Sequence, residues 1–209
     1  MRLIKTEDGS ETYYNEKFDE PYHTKSGAME EAFEKHVVPL DIKDGMSLLD
    51  FCFGLGYNSF AACSNNSNLK ITALENDIII IKKIKEINFP KKLARESEIF
   101  KELDINREIT DRKNNVIRLI LDDALNAIER LPSNSFDRVF FDPFSPKKHP
   151  EMWSENVFKE MFRIMKKNGK LSTYSCARRV RDNMKLAGFK VIDGPIIGRR
   201  SPSTIAIKN

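Results

Sequence analysis

What this chain lacks narrows its class before any motif is read. Among its 209 residues there are three cysteines, Cys52, Cys63 and Cys176, and no Cys-x-x-Cys pair. An odd count without paired spacing argues against a disulfide framework, and each cysteine reads as a free thiol in a reducing compartment. Long apolar runs are missing as well. The longest, Ile78–Ile81, is far short of the ~20 residues that a membrane helix needs. The opening MRLIKTEDGS has no apolar stretch of the secretory-signal kind. These absences predict a cytoplasmic protein with no membrane partner. Neither sign of charge dominates: the formal net charge is +4, so composition alone does not demand nucleic acid. The three histidines, His23, His36 and His149, stand apart in the sequence, and no metal site is predicted from them. A phosphate-cradling Gly-Lys-Ser/Thr motif is also absent, and no lysine or arginine lies between Gly54 and Asn58. A ligand without phosphates suits that loop better than a dinucleotide does.

What is present is 40% hydrophobic and 32% charged, a globular balance long enough for one α/β domain and a small N-terminal extension. Residues 1–40 are predicted to form that extension or lid, and residues 41–209 the main domain. Residues 1–26, polar with Tyr13, Tyr14 and Tyr22 interspersed, read as an extended arm or short hairpin outside the core. Residues 27–38 read as a helix stopped by Pro39. Strands are predicted at 47–52, 70–74, 116–121, 136–141, 171–175, 189–192 and 203–207. Helices alternate with them, one of them closed by Asn168-Gly169. Residues 78–112 read as two helices interrupted at Pro90. Such alternation specifies a doubly wound, mostly parallel sheet of seven strands, a Rossmann-like α/β fold. The last two strands are joined by too short a segment for a helical crossover, so they pair antiparallel. That layout is the one of class I S-adenosylmethionine-dependent methyltransferases.

In an open parallel sheet the ligand crevice lies beyond the carboxyl ends of the strands, and three motifs fall there. The first is Asp50-Phe51-Cys52-Phe53-Gly54-Leu55-Gly56-Tyr57-Asn58. Gly54 and Gly56 let the backbone turn tightly and approach a ligand. Glu75 ends the next strand about 20 residues later, where an acid can hydrogen-bond both ribose hydroxyls. A ligand-free glycine turn is the competing reading. The second motif is Asp122-Asp123-Ala124, where a carboxylate can accept from the adenine amine or simply cap a helix. The third is Asp142-Pro143-Phe144, an acid at a strand end followed at once by a rigid aromatic loop. It resembles the Asp/Asn-Pro-Pro-aromatic loop of amino-methyltransferases. In that loop the polar side chain and a proline carbonyl hold an amine, and the ring stacks on a base. A strand-end acid beside a core phenylalanine is the alternative. Lys147, Lys148, Arg178, Arg179, Arg181, Arg199 and Arg200 fall in loops that share one rim of this topology, a basic border suited to RNA. Lys82, Lys83, Lys85, Lys91 and Lys92 read as a solvated helix face.

Together these motifs resemble the methyltransferase domain of the MnmC family, the bifunctional tRNA 5-methylaminomethyl-2-thiouridine biosynthesis proteins. Tyr13-Tyr14-Asn15 matches its Tyr-aromatic-Asn element, and Gly27, Glu30 and Glu31 its Gly-x-x-Glu-Glu element. Cys52 through Asn58 matches its glycine loop. Asp142 through Trp153, DPFSPKKHPEMW, matches its strand-four motif. Ser175, Val180-Arg181, Ala187-Gly188-Phe189 and Gly198-Arg199-Arg200 match later ones. The chain departs from the pattern at Cys52 and Pro143, each in place of glycine, and at His149 in place of asparagine. The resemblance implies S-adenosyl-L-methionine as cofactor, held by Tyr14, Glu31, Phe53, Gly54, Gly56, Asn58, Glu75, Asp123, Ala124 and Asp142. It implies methylation of an aminomethyl group on the wobble uridine of tRNA, with Asp142 and Phe144 at the reaction centre. Lys147, Lys148, Arg181 and Arg200 are expected to grip the anticodon stem-loop. The family's flavin domain is absent from this sequence, so only the methyl transfer is expected. A methyltransferase or aminopropyltransferase acting on a small amine, a nicotinamide-dependent oxidoreductase and a non-catalytic RNA-binding protein are the rival readings.

Overall fold

A computed structural model describes residues 1–89, 97–197 and 200–209. Three strands, β1 (Arg2–Lys5), β2 (Glu11–Asn15) and β3 (Glu20–Pro21), form an antiparallel N-terminal meander. The central sheet comprises β4 (Ser47–Phe51), β5 (Lys70–Glu75), β6 (Glu108–Thr110), β7 (Val116–Leu121), β8 (Phe136–Phe141), β9 (Met165–Thr173), β10 (Lys190–Asp193) and β11 (Thr204–Ile207). The helices are α1 (Ala28–Glu31, continuing through Ala32–Val37 and Val38–Leu40), α2 (Tyr57–Asn65), α3 (Ile78–Lys83), α4 (Leu103–Asn106), α5 (Ala124–Arg130), α6 (Glu155–Ile164) and α7 (Arg178–Leu186).

Across the sheet the order is β10-β11-β9-β8-β4-β5-β7-β6. β4 pairs parallel with β5 and β8, β5 with β7, and β8 with β9. β11 runs antiparallel between β9 and β10, as the short final connection requires. The sheet has eight strands instead of seven because β6 adds an antiparallel edge beside β7. Arg107, at φ 56°, turns the chain out of α4 so that Ile109 is buried against the sheet. A three-residue strand carries too short an alternation to stand out in a sequence. Pro90, the expected break in this region, lies outside the described residues, as do Lys91, Lys92 and Arg199.

Three local expectations change. α6 ends at Ile164, and β9 begins at once with Met165. Asn168, at φ 63°, and Gly169 therefore kink a strand, and the register steps from Phe136↔Met165 to Arg138↔Lys170. Turn residues here make a bulge. α1 is not stopped by Pro39 but takes it into its last turn, after a π-helical stretch over Ala32–Val37. A wider turn accommodates a residue with no N–H to donate. The N-terminal arm also packs into the core: Tyr13 is buried with Ala28 and Leu40, and the Tyr57 hydroxyl donates to the Glu11 carbonyl at 2.6 Å.

The pleat decides which side of the sheet each strand-end acid faces. Leu49, Phe51, Val139 and Phe141 pack on the α5–α6–α7 side, whereas Leu48, Ile71, Ala73 and Phe140 pack under α1 and α2. With a side-chain period of two, Asp50, Glu75 and Asp142 all fall on the α1–α2 side. One helix layer thus gathers three carboxylates at the carboxyl edge.

Candidate active site

A cavity of about 860 Å³ opens above that edge, within the ~300–1,000 Å³ typical of small-molecule and cofactor sites. Cys52, Phe53, Gly54, Glu75, Asp123 and Ala124 line one half. Phe18, Tyr22, His23, Phe144 and His149 line the other, with Asp142 between the two.

The first half is built from backbone geometry. Cys52, Gly54 and Gly56 lie at φ 66°, 57° and 79°. Cys52 therefore keeps the left-handed conformation of the glycine it replaces, at a cost of roughly 1 kcal/mol. A side chain at Gly56 would meet Phe53 Cζ at 2.4 Å, and one at Gly54 would meet Tyr22 Cδ1 at 3.2 Å. Only glycine lets the loop fold this closely. Glu75 closes it, accepting from the N–H groups of Gly54 at 2.8 Å and of Asn76 and Asp77 at 2.9 Å each. Burial raises the Glu75 pKa and these N–H donors oppose the rise. Asp123 caps α5 by accepting from Leu125 N at 2.8 Å while it lines the cavity, so the capping and ligand readings hold together. The donor set fits S-adenosylmethionine: an acid placed for a ribose, a second acid at the adenine side, and no cluster of cations for phosphates.

The second half is assembled over long range. Asp142 Oδ2 accepts from Asn58 Nδ2 at 3.1 Å and lies 3.8 Å from His36 Nε2. Burial, reinforced by the charge of Glu31, pushes the Asp142 pKa up to about 6. Asp50 beneath it accepts from Ser59 Oγ at 2.6 Å, and burial pushes its pKa up to about 8. Burial also acts on Glu31, but the adjacent Lys35 ammonium at 2.7 Å outweighs it and holds Glu31 below the usual range. Burial thus favours the neutral form of Asp50, and Glu31 is matched by Lys35. Of these three acids, Asp142 is the one that lines the cavity without a paired ammonium.

The expectation of isolated histidines is corrected. His23 and His149 line the cavity, and His36 is fully buried beside Asp142. Burial depresses the pKa of all three, that of His36 to about 4. No sequence spacing brings His23 and His36 to Asp142; the docking of the N-terminal arm and α1 does.

The aromatic loop after Asp142 is anchored from behind. Trp153 Nε1 donates to the Phe144 carbonyl at 2.8 Å, and the Tyr174 hydroxyl donates to the Pro143 carbonyl at 3.0 Å. The meander closes over it from the front. Phe18 stacks on Phe144 at 4.4 Å between centroids, and Tyr22 lies 5.0 Å from the same ring. Glu20 accepts from Ser145 N at 2.9 Å and from its hydroxyl, and Asp19 pairs with Lys148 at 2.9 Å. Phe18, Glu20 and Tyr22 were not singled out in the sequence. Their only signal there is the scatter of aromatics, Tyr13, Tyr14, Phe18 and Tyr22, through a polar arm.

The remaining expected site residues are dispersed. The Tyr14 hydroxyl donates to Asp19 on the meander and is not among the lining residues. Arg181 ties α7 to the closing strands through Thr204 Oγ1 at 2.9 Å, Asp193 at 2.6 Å and the Ser203 carbonyl at 3.1 Å. Lys147, Lys148, Arg178, Arg179 and Arg200 are exposed. Among the described residues no helix is long and apolar enough to cross a membrane.

The chain is similar to known proteins in sequence and in fold. An uncharacterized protein of Methanocaldococcus jannaschii is 32% identical over 99% of this chain and 59% of its own length. The bifunctional tRNA 5-methylaminomethyl-2-thiouridine biosynthesis protein MnmC of Leptospira interrogans is 28% identical over 90% of this chain and 32% of its own. The chain thus spans between about a third and three fifths of these relatives. The crystal structure of MNMC2 from Aquifex aeolicus superposes with a TM-score of 0.85 at 27% identity, covering 98% of this chain and 69% of that one. Residues 89–209 match the family described as S-adenosyl-L-methionine-dependent methyltransferase. That segment is more than half of the chain and carries Asp123, Asp142 and Phe144, so the protein belongs to the S-adenosyl-L-methionine-dependent methyltransferases.

Proposed function

We propose that the protein methylates the amine of a 5-aminomethyl group on the wobble uridine of tRNA. The observation that carries this reading is the pairing of a cavity-lining carboxylate, Asp142, with an anchored aromatic ring, Phe144. Kinship with MnmC proteins supports the substrate class.

Glu75 and the Gly54 loop would hold the ribose and methionine portion of the cofactor, and Asp123 with Ala124 the adenine. When bound, the cofactor supplies an electrophilic methyl group whose sulfur keeps the bond electrons on displacement. The chain's own residues prepare the amine. Asp142 binds it as an ammonium and accepts one proton, which leaves a neutral nitrogen with its lone pair aimed in line. The partly desolvated pocket suits this step, because a carboxylate of raised pKa is the better proton acceptor. Phe144 supports the splayed base; an anticodon-loop base is single-stranded and easily unstacked. The exposed lysines and arginines of the rim meet the stem-loop phosphates.

The test is transfer of labelled methyl from S-adenosylmethionine to tRNA lacking the terminal methyl at the wobble position, with a polyamine precursor in parallel. Label mapped to the wobble uridine is the expected outcome. Label in the polyamine alone would move the substrate to a small amine. A polycation needs several free acids, however, and Glu20 and Glu31 are already engaged by Ser145 and Lys35.

A further inference from the structure

His36 is the least explained group near the reaction centre. It is fully buried on the π-helical stretch of α1, its Nδ1 lies 2.9 Å from Ser172 Oγ on β9, and its Nε2 has no hydrogen-bond partner among the described residues. A buried polar nitrogen left without a partner is costly, so its retention in a packed core calls for a role. The orphan nitrogen lies 3.8 Å from Asp142 Oδ2, beyond hydrogen-bond length but reachable by a shift of about 1 Å. Catalytic hydrogen bonds that are long in a free enzyme commonly tighten in the complex with substrate.

We propose that His36 is a positioning residue for Asp142, donating from Nε2–H to Oδ2 when the amine binds. This rests on the reading that Asp142 holds the amine. With Ser172 Oγ–H as the donor to Nδ1, the ring keeps its proton on Nε2. Asn58 Nδ2 already donates to the same Oδ2. Two donors converging on one carboxylate oxygen turn the other, Oδ1, toward the amine. They also favour the ionised carboxylate against the burial that opposes it. The groups facing His36 are consistent with a neutral ring. Glu31 and Lys35 of α1 compensate each other at 2.7 Å, and Phe140 of β8 presents its ring at 6.1 Å, nearly perpendicular. His23, just after the meander, shares the field of Asp142, and burial favours the neutral form of Asp50 on β4.

The experiment titrates the Asp142 carboxyl carbon by NMR in the full chain saturated with methylammonium, which stands in for the substrate amine, its resonance assigned by its loss in Asp142→Asn. His36→Leu is expected to raise the Asp142 pKa by about one unit, and His36→Gln to restore part of the shift. Ser172→Ala keeps the imidazole and frees its tautomer, and should raise the pKa by a smaller amount. It guards against a fold defect in the leucine variant. In turnover, the acidic limb of the kcat profile should move to higher pH in parallel, with kcat reduced on the order of tenfold and cofactor affinity unchanged. An unmoved Asp142 titration in both His36→Leu and Ser172→Ala would overturn the proposal, as would an unmoved acidic limb. A shifted titration in an enzyme that methylates no tRNA would leave the His36–Asp142 coupling intact and count against the substrate reading instead.

Discussion

The two halves of the cavity are built in opposite ways. The half proposed to hold the cofactor comes from strand ends and the turns that follow them: Glu75 reaches Gly54 and its own next two amides, and Asp123 caps the helix it begins. Its partners are backbone N–H groups that any sequence with the right turns would present. The substrate half is closed by a meander more than a hundred residues away in sequence, through Glu20 on Ser145, Asp19 on Lys148 and Phe18 on Phe144. One half is fixed by local geometry and the other by side-chain contacts over long range. The first should tolerate changes in the second, because Glu75 and Asp123 are held by backbone N–H groups and the halves meet only at Asp142 and where Tyr22 packs on Gly54.

The sharpest way to separate them is Asp142→Ala. Turnover should fall by about 10²–10⁴-fold, the range for losing a positioned acid–base group. Cofactor affinity measured by calorimetry should change little, since Glu75, Asp123 and the glycine loop remain. Equal loss of both would show that the halves are one unit. A smaller effect is expected at Phe18. If the meander supplies a second stacking surface beside Phe144, Phe18→Ala should raise KM for tRNA by roughly tenfold or more, as loss of ~1–3 kcal/mol of base stacking implies. Cofactor affinity should hold. A lower KM would mean that Phe18 competes with the base for Phe144.

This difference also explains what could be read from the sequence. The alternation of strands and helices, the antiparallel closing pair and the strand-end placement of Glu75, Asp123 and Asp142 were legible, because each strand is an alternating or apolar run ending at a turn. The sheet's pleat then carries them to one edge. β6 and the Asn168–Gly169 bulge were not, because three residues carry no period and a turn signal does not say whether it ends a helix or kinks a strand. His23 and His36 looked isolated because their proximity to Asp142 depends on how α1 and the meander dock. Burial then sets their charge, and no spacing encodes that. Arg181, one of the rim cations in the sequence, is drawn inward by Thr204, Asp193 and Ser203, which lie on a strand pair whose register only the fold supplies.

The smallest expected effect tests the border between meander and rim. Lys147 and Lys148 are adjacent and exposed, but Lys148 is tied to Asp19 and Lys147 is not part of that pair. If both lysines meet RNA phosphates, Lys147→Ala should weaken tRNA binding modestly and flatten the slope of log K against log salt by just under one unit. Asp19→Asn should leave that slope in place, since it removes no cation. It loosens the meander instead and should raise KM at every salt concentration. An exposed pair contributes at most ~1 kcal/mol, so a change beyond several-fold would mean that Asp19 does more than hold Lys148. Because Asp19 also accepts from the Tyr14 hydroxyl, Tyr14→Phe separates the two ties. A KM as high as that of Asp19→Asn would place the meander's closure on Tyr14, and an unchanged KM would leave it on Lys148.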